Sequence, residues 1–262
     1  MTDTTMISDD AAAAAIDAAC RSLHLPTVRA EAGPAADAAV RGRLTHRGYL
    51  AELLAAETDA RSIRRRQRRI HEAHFPRIKT LEAFNPAATP AIPPGLLTTL
   101  ASGAWIDRGE PLVLLGDSGT GKSHLLIALG VAACHQGRSV RYTTAAALVN
   151  ELVEAADDRV LAKTIARYGR LDLICLDELG YLHLDPRGAE LLFQVLTERD
   201  ERASIAVASN APFSEWGSTF TDPRLAAAVA DRLTFNGHIL ETGTDSYRLR
   251  STRAKKGTAK NP

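Results

Sequence analysis

GDSGTGKSHLLIALG, Gly116 to Gly130, sets three glycines and a lysine within eight residues and then turns into an apolar, helix-favouring run. Bare backbone beside one fixed positive charge suits a phosphate chain. Glycines let successive N–H groups turn inward, and the N-terminus of the following helix adds the positive end of its dipole. The spacing Gly116-x-x-x-x-Gly121-Lys122-Ser123 is the Walker A pattern, and it sits directly after the apolar run PLVLL and directly before a helical one, where such a loop belongs. Lys122 then neutralises β- and γ-oxygens and Ser123 offers its hydroxyl to Mg²⁺. The stretch Gly116, Asp117, Ser118, Gly119, Thr120, Gly121, Lys122, Ser123 and His124 is taken as the nucleotide-binding set. A glycine-rich turn capped by a helix is the bland alternative.

Outward from that loop, short apolar runs alternate with helical stretches. The expected strands are 111–115, 139–143, 171–176, 204–209 and 238–241, with helices over 122–135, 145–156, 158–168, 187–202 and 222–235. That alternation predicts an α/β fold, a parallel sheet covered by helices on both faces. The run LDLICLDELGYL ends a buried strand in Asp177-Glu178, so Asp177 can meet Mg²⁺ alongside Ser123 while Glu178 orients and deprotonates an attacking water. Alone, an acidic pair merely capping a strand is common. Asn210 closes the next strand, SIAVAS, and can touch a γ-phosphate or the water, though a turn-forming Asn before Ala211-Pro212 is its plainer role. No NKxD guanine reader occurs, so ATP is the expected nucleotide, and the acid beside Asp177 favours hydrolysis.

The 262 residues, 45% hydrophobic, allow one large domain or two smaller ones. No apolar run approaches the roughly 20 residues of a membrane span, and the polar start MTDTTMISDD is unlike a secretory signal. A cytoplasmic, DNA-associated protein with no membrane partner is expected. Cys20, Cys134 and Cys175 form no CxxC pair and read as reduced, mostly buried thiols. The net charge of +1 hides segregation: Arg41 to Lys79 holds eleven basic and four acidic side chains, a local +7, leaving −6 elsewhere.

The organisation expected is a disordered start (1–10), a helical DNA-binding domain (11–83) with breaks at Pro26, Gly33-Pro34 and Gly42, and a Pro-rich linker (84–94). An ATPase domain (95–250) and a basic disordered tail (251–262) follow. His46 to Phe75 reads as one helix with a mostly apolar stripe, Leu50, Leu53, Leu54, Ala60, Ile63, Gln67, Ile70 and His74. Arg61, Arg64, Arg65, Arg66, Arg68 and Arg69, six arginines in nine residues, lack acids at alternating i+4 positions and are expected to repel one another until phosphates replace water. Duplex DNA is the expected partner, held by its backbone. A merely solvated charged face is the alternative, and a membrane-surface helix lacks aromatic anchors in the arginine run. His71 and His74 have no further ligand cluster and read as helix-surface residues.

Together GDSGTGKSHLLIALG, RYTTAAALVNEL, LICLDELGYL, GAELLFQVLTER, ASNAPFSEWG and DRLTFNGHIL resemble the IstB family, ATP-dependent helper proteins of bacterial insertion sequences, from about Leu23 to Arg250. The resemblance implies the initiator branch of the AAA+ ATPases, alongside DnaC and DnaA. It implies a P-loop sheet of five parallel strands, ATP at subunit interfaces, homo-oligomers on DNA, and an IstA-type transposase partner. It makes Gly116, Gly121, Lys122 and Ser123 the Walker A set, Asp177 and Glu178 the Walker B pair, Asn210 the first sensor, and Arg232 the arginine reaching a neighbouring subunit's γ-phosphate. Arg224 is a second candidate for that last role. After HILE too little chain remains for the helical lid of many AAA+ proteins, so no residue is assigned as second sensor. A DnaC-like helicase loader and a non-catalytic, nucleotide-stabilised DNA scaffold are the competing readings.

Overall fold

A computed structural model describes residues 8–86, 89, 91–181, 183–244 and 246–247, the side chain of Pro94 apart. The expected disordered start falls largely, and the basic tail wholly, outside them. The chain divides into two units between Gln67 and Arg68. No helix among the described residues is long and apolar enough to cross a membrane.

The first unit is helical. Helix α1 (Asp9–Ser22) starts where the Ser8 hydroxyl accepts the Ala11 N–H, with Asp9 and Asp10 facing the positive end of the dipole. Helix α2 (Pro26–Arg41) has Pro26 in its first turn and no side-chain cap of its own. The cap comes from 30 residues away: Glu57 Oε2 accepts the N–H of Thr27 at 2.7 Å and of Val28 at 3.2 Å. Glu57 lies on α3 (His46–Glu72), the long helix expected from the sequence. Cys20, Val28, Ala32 and Leu53 form the small core, and the Tyr49 hydroxyl donates to the Ala32 carbonyl.

Three expectations for this region are corrected. Gly33-Pro34 does not break α2, because Pro34 is exposed and the carbonyl it deprives of a partner can turn to water while Val28, Ala32 and Ala39 anchor the buried face. The apolar stripe of α3 is mostly outside: Leu50, Leu54 and Ile63 are exposed, and within this unit the helix buries Leu53 and Glu57. Tertiary pairing, which periodicity cannot see, chose a narrower seam. The helix also stops at Glu72, short of Phe75, because His74 adopts a left-handed φ of 57°.

In the second unit five parallel strands run in the order β2-β3-β4-β1-β5. They are β1 (Leu112–Leu115), β2 (Val140–Thr144), β3 (Leu173–Asp177), β4 (Ser204–Ser209) and β5 (His238–Glu241). Around them lie α4 (Pro94–Ala101), α5 (Ala104–Asp107), α6 (Lys122–His135), α7 (Ala145–Asp157), α8 (Leu161–Gly169), α9 (Pro186–Arg199), α10 (Trp216–Phe220) and α11 (Pro223–Thr234). Strand alternation sorts the core into two layers. Val113, Leu115, Ile174, Leu176, Ile205 and Val207 meet Leu148, Leu152, Leu192, Val195 and Val229 of α7, α9 and α11. Leu112, Leu114, Cys175, Ala206 and Ala208 meet Leu125, Leu126 and Leu129 of α6 on the other face, where the small residues let α6 approach closely. The three cysteines are buried free thiols, as expected, and burial pushes the Cys134 thiol up to about 12.

The outer strand β2 does not end the sheet unprotected. Tyr142 N–H donates to the Ala73 carbonyl at 2.8 Å, just past α3, and Phe75 packs on the Tyr142 ring with centroids 6.1 Å apart. Phe75 fits because Gly130 on α6 lacks a Cβ, which would stand 2.9 Å from its ring.

Candidate functional site

The loop of Gly116–Gly121 joins the C-terminal end of β1 to α6. Gly116, Gly119 and Gly121 have φ of 144°, 84° and 108°, left-handed conformations that disfavour any side chain. At Gly116 space forbids one as well: a Cβ would collide with the Thr242 hydroxyl and lie 2.8 Å from the Gly243 carbonyl. The segment after β5 thus braces the loop from behind. Asp117 N–H donates to Gly243 O at 3.1 Å, and the hydroxyls of Thr120 and Thr242 are 2.6 Å apart.

Lys122, the first residue of α6, is buried, and its Nζ donates to the carbonyls of Gly116 at 2.6 Å and Asp117 at 2.7 Å. Burial lowers its pKa, while the charges of Asp177 and Asp117 oppose that shift. The ammonium therefore stands in the electrostatic field of the acidic residue ending β3. Ser123 is exposed in the first helical turn, and His124 Nε2 lies 3.0 Å from the Thr80 carbonyl.

Sheet register brings the remaining residues to the same edge. Leu115 pairs with Ser209, so Gly116 and Asn210 leave adjacent strands side by side. Asp177 ends the neighbouring β3, 4% exposed; its Oδ2 accepts the Tyr142 hydroxyl at 2.8 Å and its Oδ1 the Glu178 N–H at 2.9 Å. Burial first, then the Asp177 charge and hydrogen bond, raise the Tyr142 phenol far above its ordinary value, so it remains a donor. Glu178 is exposed and takes a left-handed φ of 63°, uncommon for a residue with a side chain. Asn210 Oδ1 is buried with no hydrogen-bond partner among the described residues, a cost of about 1–3 kcal/mol unless something donates to it.

Arg232 is not brought to this edge. On α11 it lies over the Phe193 ring at 4.5 Å, with Nε 3.3 Å from Asp200 Oδ2. It lines a concave region of about 570 Å³ with Arg108, Pro111 and Ala203, which precede β1 and β4, hence at the opposite end of the strands from the loop. Arg224 is exposed in the first turn of α11.

The six arginines of α3 differ among themselves. Arg64 donates to Glu57 Oε1 at 2.9 Å, and Arg61 donates to the His24 carbonyl with the same carboxylate 3.6 Å away. Arg66 reaches Ser62, and Arg68 stands 3.6 Å from Glu72. Mutual repulsion across the whole run is therefore corrected: the buried Glu57 neutralises part of it. For Glu57 burial raises the pKa, but the N–H groups of Val28 and Thr27, with Arg64, more than offset that and hold it below the ordinary carboxylate range. Arg65 and Arg69 make no hydrogen bond or ion pair among the described residues.

Sequence reasoning missed Tyr142, Thr242 and Gly180. A Cβ on Gly180 would stand 2.5 Å from Asn210 Oδ1 and 2.7 Å from the Ala211 nitrogen, so the glycine is what lets the turn after β3 press against the Asn210 side chain. No local pattern marks any of the three.

The family model described as IstB-like ATP binding protein matches residues 18–255. The chain is 36% identical over 234 residues to a protein named for ATP binding in insertion sequence IS5376 of Geobacillus stearothermophilus, covering 89% of this chain and 93% of that one. It is likewise 36% identical over 215 residues to the corresponding IS21 protein of Pseudomonas aeruginosa, covering 82% and 81%. Among solved structures, AMPPCP-bound DnaA from Aquifex aeolicus superposes with a TM-score of 0.52 at 23% identity, over 70% of this chain and 56% of that chain. A DNA replication initiation factor gives 0.54 at 24%, over 68% and 54%. The chain spans little more than half the length of these two solved proteins, and the likeness to them is one of fold.

Proposed function

The chain belongs to the family of IstB-like ATP binding proteins, and from that membership we propose that it hydrolyses ATP to drive a cycle of assembly on duplex DNA in transposition. ATP binding joins subunits into a homo-oligomer on DNA, the assembly recruits or activates an IstA-type transposase, and hydrolysis dismantles or remodels it. Residues 95–250 supply the ATPase and 11–83 the DNA-binding part, in the cytoplasm.

One observation carries the hydrolytic reading: Lys122, Asp177 and Asn210 gather at one edge of the sheet, where Asn210 Oδ1 is buried and lacks a donor among the described residues. A water held for attack on a γ-phosphate has the hydrogen that Oδ1 can accept. The glycine backbone of Gly116 to Gly121 cradles the phosphates, Lys122 turns from its loop carbonyls to their oxygens, and Glu178 takes the proton of the attacking water. Ser123 and Asp177 are hard oxygen donors that fit Mg²⁺, which when bound would neutralise phosphate charge. Tyr142 holds one Asp177 oxygen, leaving the carboxylate oriented. Arg232, at the far end of the strands from its own loop, keeps the role that the family resemblance implies, in trans against the nucleotide of an adjoining subunit.

The test is Glu178→Gln. The variant should bind Mg-ATP as the wild type does, lose phosphate release, and remain longer on duplex DNA. A normal turnover rate overturns the assignment of Glu178. A wild-type chain that binds Mg-ATP but releases no phosphate, with or without DNA, leaves only the non-catalytic scaffold.

A further inference from the structure

On the flank of the second unit, away from the nucleotide edge, Arg69, Arg141 and Arg167 line one notch of about 200 Å³, with Glu72, Ser139, Val140, Tyr168 and Leu171. Arg69 comes from the last turns of α3, Arg141 from the outer strand β2, and Arg167 from α8. Nothing in the local sequence links them.

Their partners are unequal. Arg167 is tied to Glu151 and lies over the Tyr168 ring at 5.2 Å, while Tyr168 itself donates to Glu151 at 2.6 Å, so this guanidinium is fixed in place. Arg69 and Arg141 have no carboxylate partner among the described residues, and Arg69 Nε is buried without a hydrogen bond. The nearby acids are engaged elsewhere: Glu72 stands beside Arg68, and Asp172 accepts from the Ser139 N–H and hydroxyl. Holding two unpaired guanidinium groups beside a third costs free energy that an anion in the notch returns, most fully one whose oxygens suit the planar donor fork.

We propose that this notch seats one phosphodiester of duplex DNA between Arg69 and Arg141, a contact distinct from those of the exposed arginines earlier on α3. It rests on the reading that the protein acts on DNA. A phosphodiester is favoured over an acidic peptide because the basic segment ending in Lys79 carries the local charge of +7, and Arg69 belongs to it.

The test is the salt dependence of duplex binding by the full chain with Mg-ATP, for Arg141→Gln, Arg69→Gln and the double variant. One phosphate fewer should flatten the slope of log K against log[salt] by about 0.9 and weaken binding about eightfold at 0.1 M salt. Because both arginines grip the same phosphate, the double variant should lose about 0.9 also, not twice that. Arg141→Lys should keep the slope, since it keeps the charge. The exposed Arg202→Gln serves as a control for general loss of charge, and unchanged Mg-ATP binding by each variant shows that it is folded. An Arg141→Gln slope equal to that of the wild type, or losses that add in the double variant, overturns the notch while leaving the transposition reading intact. If the notch instead takes an acidic peptide, the duplex slope does not move, which also overturns it. Wild-type protein that ignores duplex DNA at every salt concentration removes both.

Discussion

Replacing Tyr142 with Phe removes one oxygen and keeps the ring that packs on Phe75. The lost bond is a 2.8 Å donation to Asp177 Oδ2, on a carboxylate only 4% exposed. A hydrogen bond to a charged group contributes about 1.5–3 kcal/mol, so the melting temperature should fall by about 3–12 °C for a domain of roughly 150–250 residues. If Asp177 binds Mg²⁺, the cation replaces the missing donor. The gap between variant and wild type should then narrow in saturating Mg-ATP and stay wide in ATP with a chelator. Thermal scans of the full chain under those two conditions and without nucleotide make the comparison. A gap of the same width in both, in protein shown to bind Mg-ATP, would mean that Tyr142 supports the strand and has no part in holding the metal-binding carboxylate. No gap in any condition would refute the value placed on the hydrogen bond.

Gly180→Ala forces a methyl group against Asn210 and the Ala211 backbone; overpacking of this kind costs about 1–3 kcal/mol, and ATP turnover should fall more than Mg-ATP affinity, as separate measurements of the two will check. Arg64→Ala and Arg65→Ala should part company: the first removes the partner of buried Glu57 and lowers the unfolding midpoint of the helical unit, while the second leaves that midpoint alone and flattens the salt slope of DNA binding. The Glu57 carboxyl titrates below its ordinary value in the folded chain, so its contribution is whole above the unfolded pKa of about 4.3 and is lost as the pH falls through the lower folded one. Helicity of the first unit followed from pH 6 to 3 should drop in that acidic window, and Glu57→Gln should flatten the drop.

Much of the second unit is legible in its sequence because its information is local. A strand that must be apolar on both faces, a loop whose glycines free the backbone, and a helix that follows at once leave their mark within one short consecutive stretch, and Leu112–Gly130 carries all three. The strands 204–209 and 238–241 likewise stand where their apolar runs place them. The N-terminal unit is less legible, since its periodicity admits several seams and only packing selects one. Leu54 and Leu53 are equally apolar, yet one is exposed and the other buried, and a glutamate occupies the seam because α2 lacks a cap of its own.

The sequence by itself determined the order of the five strands along the chain and where the glycine-rich loop and the Asp177-Glu178 pair fall relative to them, since each depends on neighbours in the chain. Only the tertiary structure decided that Tyr142 meets Asp177, that Gly180 makes room for Asn210, that Arg232 stands at the far end from its own loop, and that Arg69 and Arg141 share a notch. Those pairings join residues tens of positions apart. They arise from the parallel register of the sheet and from close packing, which no short window of sequence contains.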